Sequence, residues 1–174
     1  MQINVNLEYG GLIIFCGPST TGKTGMARRI LKKYKGSIVE FISDEDFPKK
    51  KQNKTKEYPF LQNASSRIQR AIETSKFTIL KTTIVTEAEL YSLITAIRLM
   101  GYKGKITLIM IDLDEEKHLE YLKHRRRDGK PSEKELKNQR RVFYQQIIPN
   151  EDFSKLTDRY IVKDPNDVII KFVD

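Results

Sequence analysis

Gly17-Pro18-Ser19-Thr20-Thr21-Gly22-Lys23-Thr24 sets two glycines five residues apart and closes on a Lys-Thr pair, directly after the apolar run GLIIFC. The spacing fits G-x-x-x-x-G-K-[ST], which average composition yields by chance in roughly half a percent of chains this long. Between the end of a buried strand and the start of a helix, successive backbone N–H groups and the helix N-terminus converge on one point, and that point attracts phosphate. Glycine lets the backbone wrap an anion closely. The eight residues are therefore expected to hold a nucleoside triphosphate such as ATP, with Lys23 reaching the terminal phosphates and the Thr24 hydroxyl binding the Mg2+ ion that bridges them. A plain strand-to-helix turn accounts for the glycines but not for the Lys-Thr pair.

Two further groups bear on the fate of a bound triphosphate. FISDEDFPKK puts Asp44, Glu45 and Asp46 at the exit of the second strand expected, at the sheet edge beside the phosphate loop. A carboxylate there could take the proton from a hydroxyl attacking the γ-phosphate; an acidic turn is the plainer alternative. EYLKHRRRDGKPSEKELKNQRR carries arginines at a helix end, a Gly-Pro turn and a second helix capped by Ser132 and Glu135, a hairpin able to fold over ATP. Arginines in that position neutralise charge on a departing phosphoryl group without losing their own proton.

The elements that must hold these groups follow from periodicity. Short β-branched runs alternate with longer amphipathic stretches, the pattern of an α/β chain with a mostly parallel sheet. GLIIFCG, SIVEFIS, FTILKTTIV and KITLIMIDL read as strands, and DRYIVKD and DVIIKFV as the last ones. KTGMARRILKKYKG, SSRIQRAIETS, TEAELYSLITAIRLMG, DEEKHLEYLKHRRR and SEKELKNQRRVFYQQI read as helices, the third with Thr86 and Glu89 at capping-box spacing. The length, 174 residues, suits a single domain over the whole chain.

No stretch reaches the ~20 apolar residues of a membrane span, and the first residues lack a signal-peptide pattern, so the chain is expected to be cytoplasmic with no membrane partner. The lone Cys16 reads as buried filler, and two scattered histidines, His118 and His124, make a zinc site improbable. The 32 Lys and Arg against 23 Asp and Glu leave a net charge of +9. KKKQNKTK packs five lysines into eight residues just after the acidic turn. A lysine run is commonly a solvated surface, but here it lies on the side from which an acceptor must enter. Lys49, Lys50, Lys51 and Asp46 are thus candidate substrate contacts, with nucleic acid held by its phosphates rather than read by its bases. Tyr58 and Phe60 could stack a terminal base or anchor the loop to the core.

GPSTTGKT, ISDED, GYKGKITLIMIDLDEEKHLEYLKHRRRDGKP and SEKELKNQRR together resemble the P-loop polynucleotide 5′-hydroxyl kinases, and more loosely the zeta toxins and small-molecule kinases. The resemblance covers most of the chain. It implies a P-loop kinase-like three-layer sandwich with a five-stranded sheet and a helical lid over about residues 122–147. It further implies Asp44 as general base, Lys23 and Thr24 as phosphate and magnesium ligands, and lid arginines among Arg125, Arg126 and Arg127. Of these, Arg126 and Arg127 would act in catalysis and Arg125 on the nucleotide. The acceptor would be a 5′-hydroxyl end of DNA or RNA.

Two positions depart from that pattern. The family carries an aspartate at the end of its third strand, where this chain reads Lys81-Thr82-Thr83, and an arginine three residues after its base, where this chain has Phe47. GPSTTGKT and DRYIVKDPNDV also resemble guanylate kinases, but the interval after the second strand is too short for their nucleotide-binding insertion. A third possibility is an ATP-driven switch protein, for which LIMID would offer Asp112 to magnesium.

Overall fold

The computed structural model describes residues 1–34, 39–47, 59–125 and 130–173. Five strands form one parallel sheet: β2 (Gly11–Cys16), β3 (Val39–Ser43), β4 (Phe77–Lys81), β5 (Ile106–Ile111) and β6 (Asp158–Val162), in the order β3-β4-β2-β5-β6. Every residue of β2, β4 and β5 is buried. Helices cover both faces, which is why these strands read as mostly apolar runs rather than alternating ones.

Side chains still alternate between the faces. Leu12, Ile14 and Cys16 point to a core shared with α2 (Pro59–Thr74), α3 (Glu87–Leu99) and α5 (Glu133–Gln146). Ile13 and Phe15 point to the other, where Met26, Ala27 and Ile30 of α1 (Lys23–Lys33) pack. Burying Met26 and Ile30 contributes about 1.5–3 kcal/mol each. α4 (Glu115–His124) follows β5, and the short α6 (Phe153–Leu156) precedes β6. No helix among the described residues is long and apolar enough to cross a membrane.

Three differences from the sequence reading have physical causes. A strand was not expected at Gln2–Asn6, yet β1 forms there and pairs in parallel with β7 (Ile169–Val173), making a separate two-stranded sheet over the α1 face. α2 begins at Pro59 rather than Ser65, because proline suits a first helical position and Phe60, Ala64, Ile68 and Ala71 form one buried stripe. The third expected strand, FTILKTTIV, stops at Lys81. Beyond it the chain stays attached to the phosphate loop: Thr82 N–H donates to Phe15 O (3.0 Å) and Gly17 N–H to Ile84 O (2.9 Å).

Candidate active site at the phosphate-loop edge

The loop from Gly17 to Thr24 joins β2 to α1, as its spacing requires. Gly17 has φ 126° and Gly22 φ 91°, both left-handed. A Cβ on Gly17 would sit 3.2 Å from the Phe143 ring, and one on Gly22 would sit 3.2 Å from Pro165. Neither position admits another residue without strain and crowding. α1 has no side-chain cap and no acidic residue in its first turn. In contrast, α3, α4 and α5 are capped by Thr86, Asp114 and Ser132, with acidic first turns. The N-terminal N–H groups of α1 are thus left for an anion.

Lys23 is folded back on this loop. Its ammonium donates to Gly17 O (2.9 Å), to Pro18 O and to Thr21 Oγ1 (3.4 Å). Burial, reinforced by the nearby charge of Lys81, pulls its pKa down to about 7. Thr20 Oγ1 donates to Ser19 O at 2.7 Å. Thr24 is half-buried in the first turn of α1. Among the described residues no group of three His, Cys, Asp or Glu is placed to hold a metal. A single hydroxyl beside a phosphate-binding loop does fit Mg2+, which keeps several waters and binds largely through substrate phosphates.

Asp44, Glu45 and Asp46 form one 3₁₀ turn at the end of β3. β3 is the edge strand, so β4 lies between this turn and the phosphate loop. Lys81, at the end of β4, bridges the gap: it reaches Asp44 Oδ1 at 3.3 Å and Glu45 Oε1 at 2.9 Å. Thr83 Oγ1 donates to Asp44 Oδ2 at 2.6 Å. A lysine therefore stands where the resemblance led us to expect a carboxylate, and its charge is matched by the acidic turn. The Asp44 side chain is 17% exposed and that of Lys81 5%, so the pair is only weakly screened.

The three acidic residues divide their work. Asp44 faces Lys81 and Thr83. Glu45 Oε1 also accepts from Arg125 (3.3 Å), which ties the start of the arginine segment to the acidic turn. Asp46 closes a capping box on Ser43 N–H (3.1 Å) and pairs with Arg67 (2.9 Å). Its carboxylate is engaged by its own turn and by Arg67 of α2. Phe60 is 5% exposed and stacks edge-on against Phe47, so it anchors the core rather than offering a face to a base. Lys49, Lys50, Lys51, Tyr58, Arg126 and Arg127 lie outside the described residues.

His118, which sequence reasoning left without a role, contacts the phosphate loop. It is fully buried on α4, and its Nε2 lies 2.6 Å from Ser19 O. Its Nδ1 lies 3.0 Å from Arg140 Nη1, and Arg140 also donates to Leu113 O at 2.8 Å. A carbonyl only accepts and a guanidinium only donates, so the ring is neutral with its proton on Nε2. Burial holds its pKa down at about 4. Gln139 Oε1 accepts from Ser19 N–H at 2.9 Å. Both backbone polar groups of the third loop residue are thus held by the helices that flank the arginine segment. Asp112, just past the end of β5 and on the side of β2 opposite β4, pairs with Lys163 and Tyr144. That environment does not favour the magnesium role considered for it. Cys16 is buried, its thiol pushed up to about 12 by burial, as filler requires.

A family model described as an AAA domain matches residues 12–146, from β2 through α5. No curated protein matches the chain. Among solved structures the chain is similar to Kti12 from Chaetomium thermophilum in complex with ADP-AlF3, at 16% identity over 87% of this chain and 88% of that one, TM-score 0.58. It is also similar to a gluconokinase from Sinorhizobium meliloti 1021, at 15% identity over 88% and 83%, TM-score 0.59. A shikimate kinase from Bacteroides thetaiotaomicron matches at 15% identity over 88% and 87%, TM-score 0.54. At these identities the likeness establishes the fold, an α/β P-loop kinase-like sheet with its helices.

Proposed function

The chain belongs to the AAA domain family, and on that footing we propose that it is an ATP-dependent phosphotransferase that delivers the γ-phosphate to the 5′-hydroxyl end of DNA or RNA. The observation that carries the transfer is the Asp44 carboxylate, braced by Lys81 at the end of β4 and by Thr83 just beyond it, beside the loop that would hold the triphosphate. Lys23 would exchange the loop carbonyls for phosphate oxygens, and the open first turn of α1 would take the remaining anionic charge. Mg2+, held by Thr24 and the phosphates, would supply charge neutralisation when bound. Asp44 would orient the acceptor hydroxyl and receive its proton as the oxygen meets the γ-phosphate. Arg125, released from Glu45, would join Arg126 and Arg127 on the phosphates. The resemblance to polynucleotide 5′-hydroxyl kinases, the net charge of +9 and the lysines after the acidic turn support a nucleic-acid acceptor.

A second reading, a small polar acceptor, is favoured by one observation. Phe60 and Asp46, both considered for the acceptor strand, are engaged in the core and with Arg67. The fold likeness to proteins named gluconokinase and shikimate kinase is compatible with it. A label-transfer screen from γ-labelled ATP over 5′-hydroxyl oligonucleotides, nucleoside monophosphates and sugars separates the two. Label on oligonucleotides supports the first reading, and label confined to small molecules supports the second.

A further inference from the structure

We propose that Thr83 is an internal phosphate acceptor, a residue that the protein phosphorylates on itself. The proposal rests on the phosphotransferase reading and adds a modification site to it. Thr83 is exposed, and its hydroxyl donates to Asp44 Oδ2 at 2.6 Å, closer to that carboxylate than Lys81 at 3.3 Å or Ser43 Oγ at 3.5 Å. A hydroxyl donating to the base carboxylate is the relation an acceptor must reach before transfer.

The backbone on either side of Thr83 is bonded to the phosphate-binding strand and loop, through Thr82 N–H to Phe15 O (3.0 Å) and Gly17 N–H to Ile84 O (2.9 Å). Thr83 therefore sits at the loop's own edge rather than on a distant surface. Its neighbour Thr82 cannot play this part: its side chain is fully buried and its hydroxyl donates to Phe15 O at 2.8 Å. The product would also be accommodated. A phosphate on Thr83 would carry roughly two negative charges, which the Lys81 ammonium, bonded to the same Asp44 carboxylate, would offset together with the repulsion of that carboxylate.

The step balances with a nucleoside triphosphate as the only co-reactant. A bond forms between Thr83 Oγ1 and the γ-phosphorus, the bond from that phosphorus to the β–γ bridging oxygen breaks, the nucleoside diphosphate leaves, and the hydroxyl proton passes to Asp44. Because phosphothreonine would stand in front of the Asp44 carboxylate that an external acceptor must reach, the modification would limit the protein's own transfer activity.

Incubation of the full chain with ATP and magnesium, followed by intact-mass and peptide mass spectrometry, tests this. One added phosphate on the Thr83 peptide is expected, formed at a rate independent of protein concentration and suppressed by saturating acceptor. Thr83→Ser should retain it, whereas Thr83→Val and Asp44→Asn should lose it, with nucleotide affinity within about threefold of the original in each variant, measured by a fluorescent nucleotide. Phosphate on an external acceptor with none at Thr83, or phosphate on another residue that persists in Thr83→Val, would overturn the proposal and leave the phosphotransferase reading intact. Phosphate on Thr83 with none on nucleic acid contradicts the acceptor assignment alone. Phosphate on neither contradicts both.

Discussion

His118 Nε2 donates to the carbonyl of Ser19 at 2.6 Å, and through this bond helix α4 holds the third residue of the phosphate-binding loop. The bond requires a neutral ring, since Arg140 donates to Nδ1 from the other side. The groups facing His118 are the Arg140 guanidinium of α5 and, further off, the Lys23 ammonium, and both oppose its protonation.

A stability prediction follows with a definite sign. His118 is held at about 4 in the fold against an ordinary 6.5, so the unfolded chain takes up a proton first as pH falls. The contribution is complete above about pH 6.5 and is lost as pH falls from there towards 4. Melting temperatures between pH 4.5 and 7.5 should fall more steeply for the wild type than for His118→Gln, which keeps a donor to Ser19 but does not titrate. Parallel slopes would contradict the neutral buried imidazole.

Lys23, a second base whose pKa is lowered by burial, yields a prediction on ligand binding. With its pKa pulled down to about 7, a large share of the free protein carries an uncharged Lys23 at pH 8. A triphosphate would restore the charge, so nucleotide binding at pH 8 should take up a fraction approaching about one proton, and much less at pH 6. Calorimetry in buffers of different ionisation enthalpy measures this directly. Lys23→Ala should abolish productive triphosphate binding.

The acidic turn should split by residue. Asp44→Asn should leave ATP binding near normal and cut transfer by roughly 10²–10⁴-fold, the usual effect of losing a general base. Asp46→Asn should keep transfer and lower stability by about 1 kcal/mol, because Asp46 closes the capping box on Ser43 and pairs with Arg67. Kinetics and denaturant melts on the two variants decide this; an inactive Asp46→Asn beside an active Asp44→Asn would move the base by two residues.

What the chain disclosed on sight was local. The phosphate loop is eight consecutive residues, and β2, β4 and β5 are mostly apolar and fully buried because both their faces are covered. What it concealed was set by contacts distant in sequence. β1 has only Ile3 and Val5 to bury, and its partner β7 is at the other end of the chain. Lys81 read as a missing carboxylate until β3 brought Asp44 and Glu45 to it across more than thirty residues. His118 looked like a stray histidine, and only the packing of α4 against Ser19 and Arg140 gives it partners.

The lysines after the acidic turn test the choice of acceptor. Replacing Lys49, Lys50 and Lys51 with glutamine should raise KM for a long oligonucleotide far more than KM for ATP. Each lost phosphate contact should flatten the log–log salt dependence of single-strand affinity by about 0.7. An unchanged slope would make that run a solvated loop.

The most direct measurement compares γ-phosphate transfer to one oligonucleotide prepared with a 5′-hydroxyl and with a 5′-phosphate, using the wild type and Asp44→Asn. Label confined to the 5′-hydroxyl strand, and lost in Asp44→Asn, is the predicted result. Equal label on both strands, or none on either while a mononucleotide or sugar is phosphorylated, would contradict the 5′-end assignment.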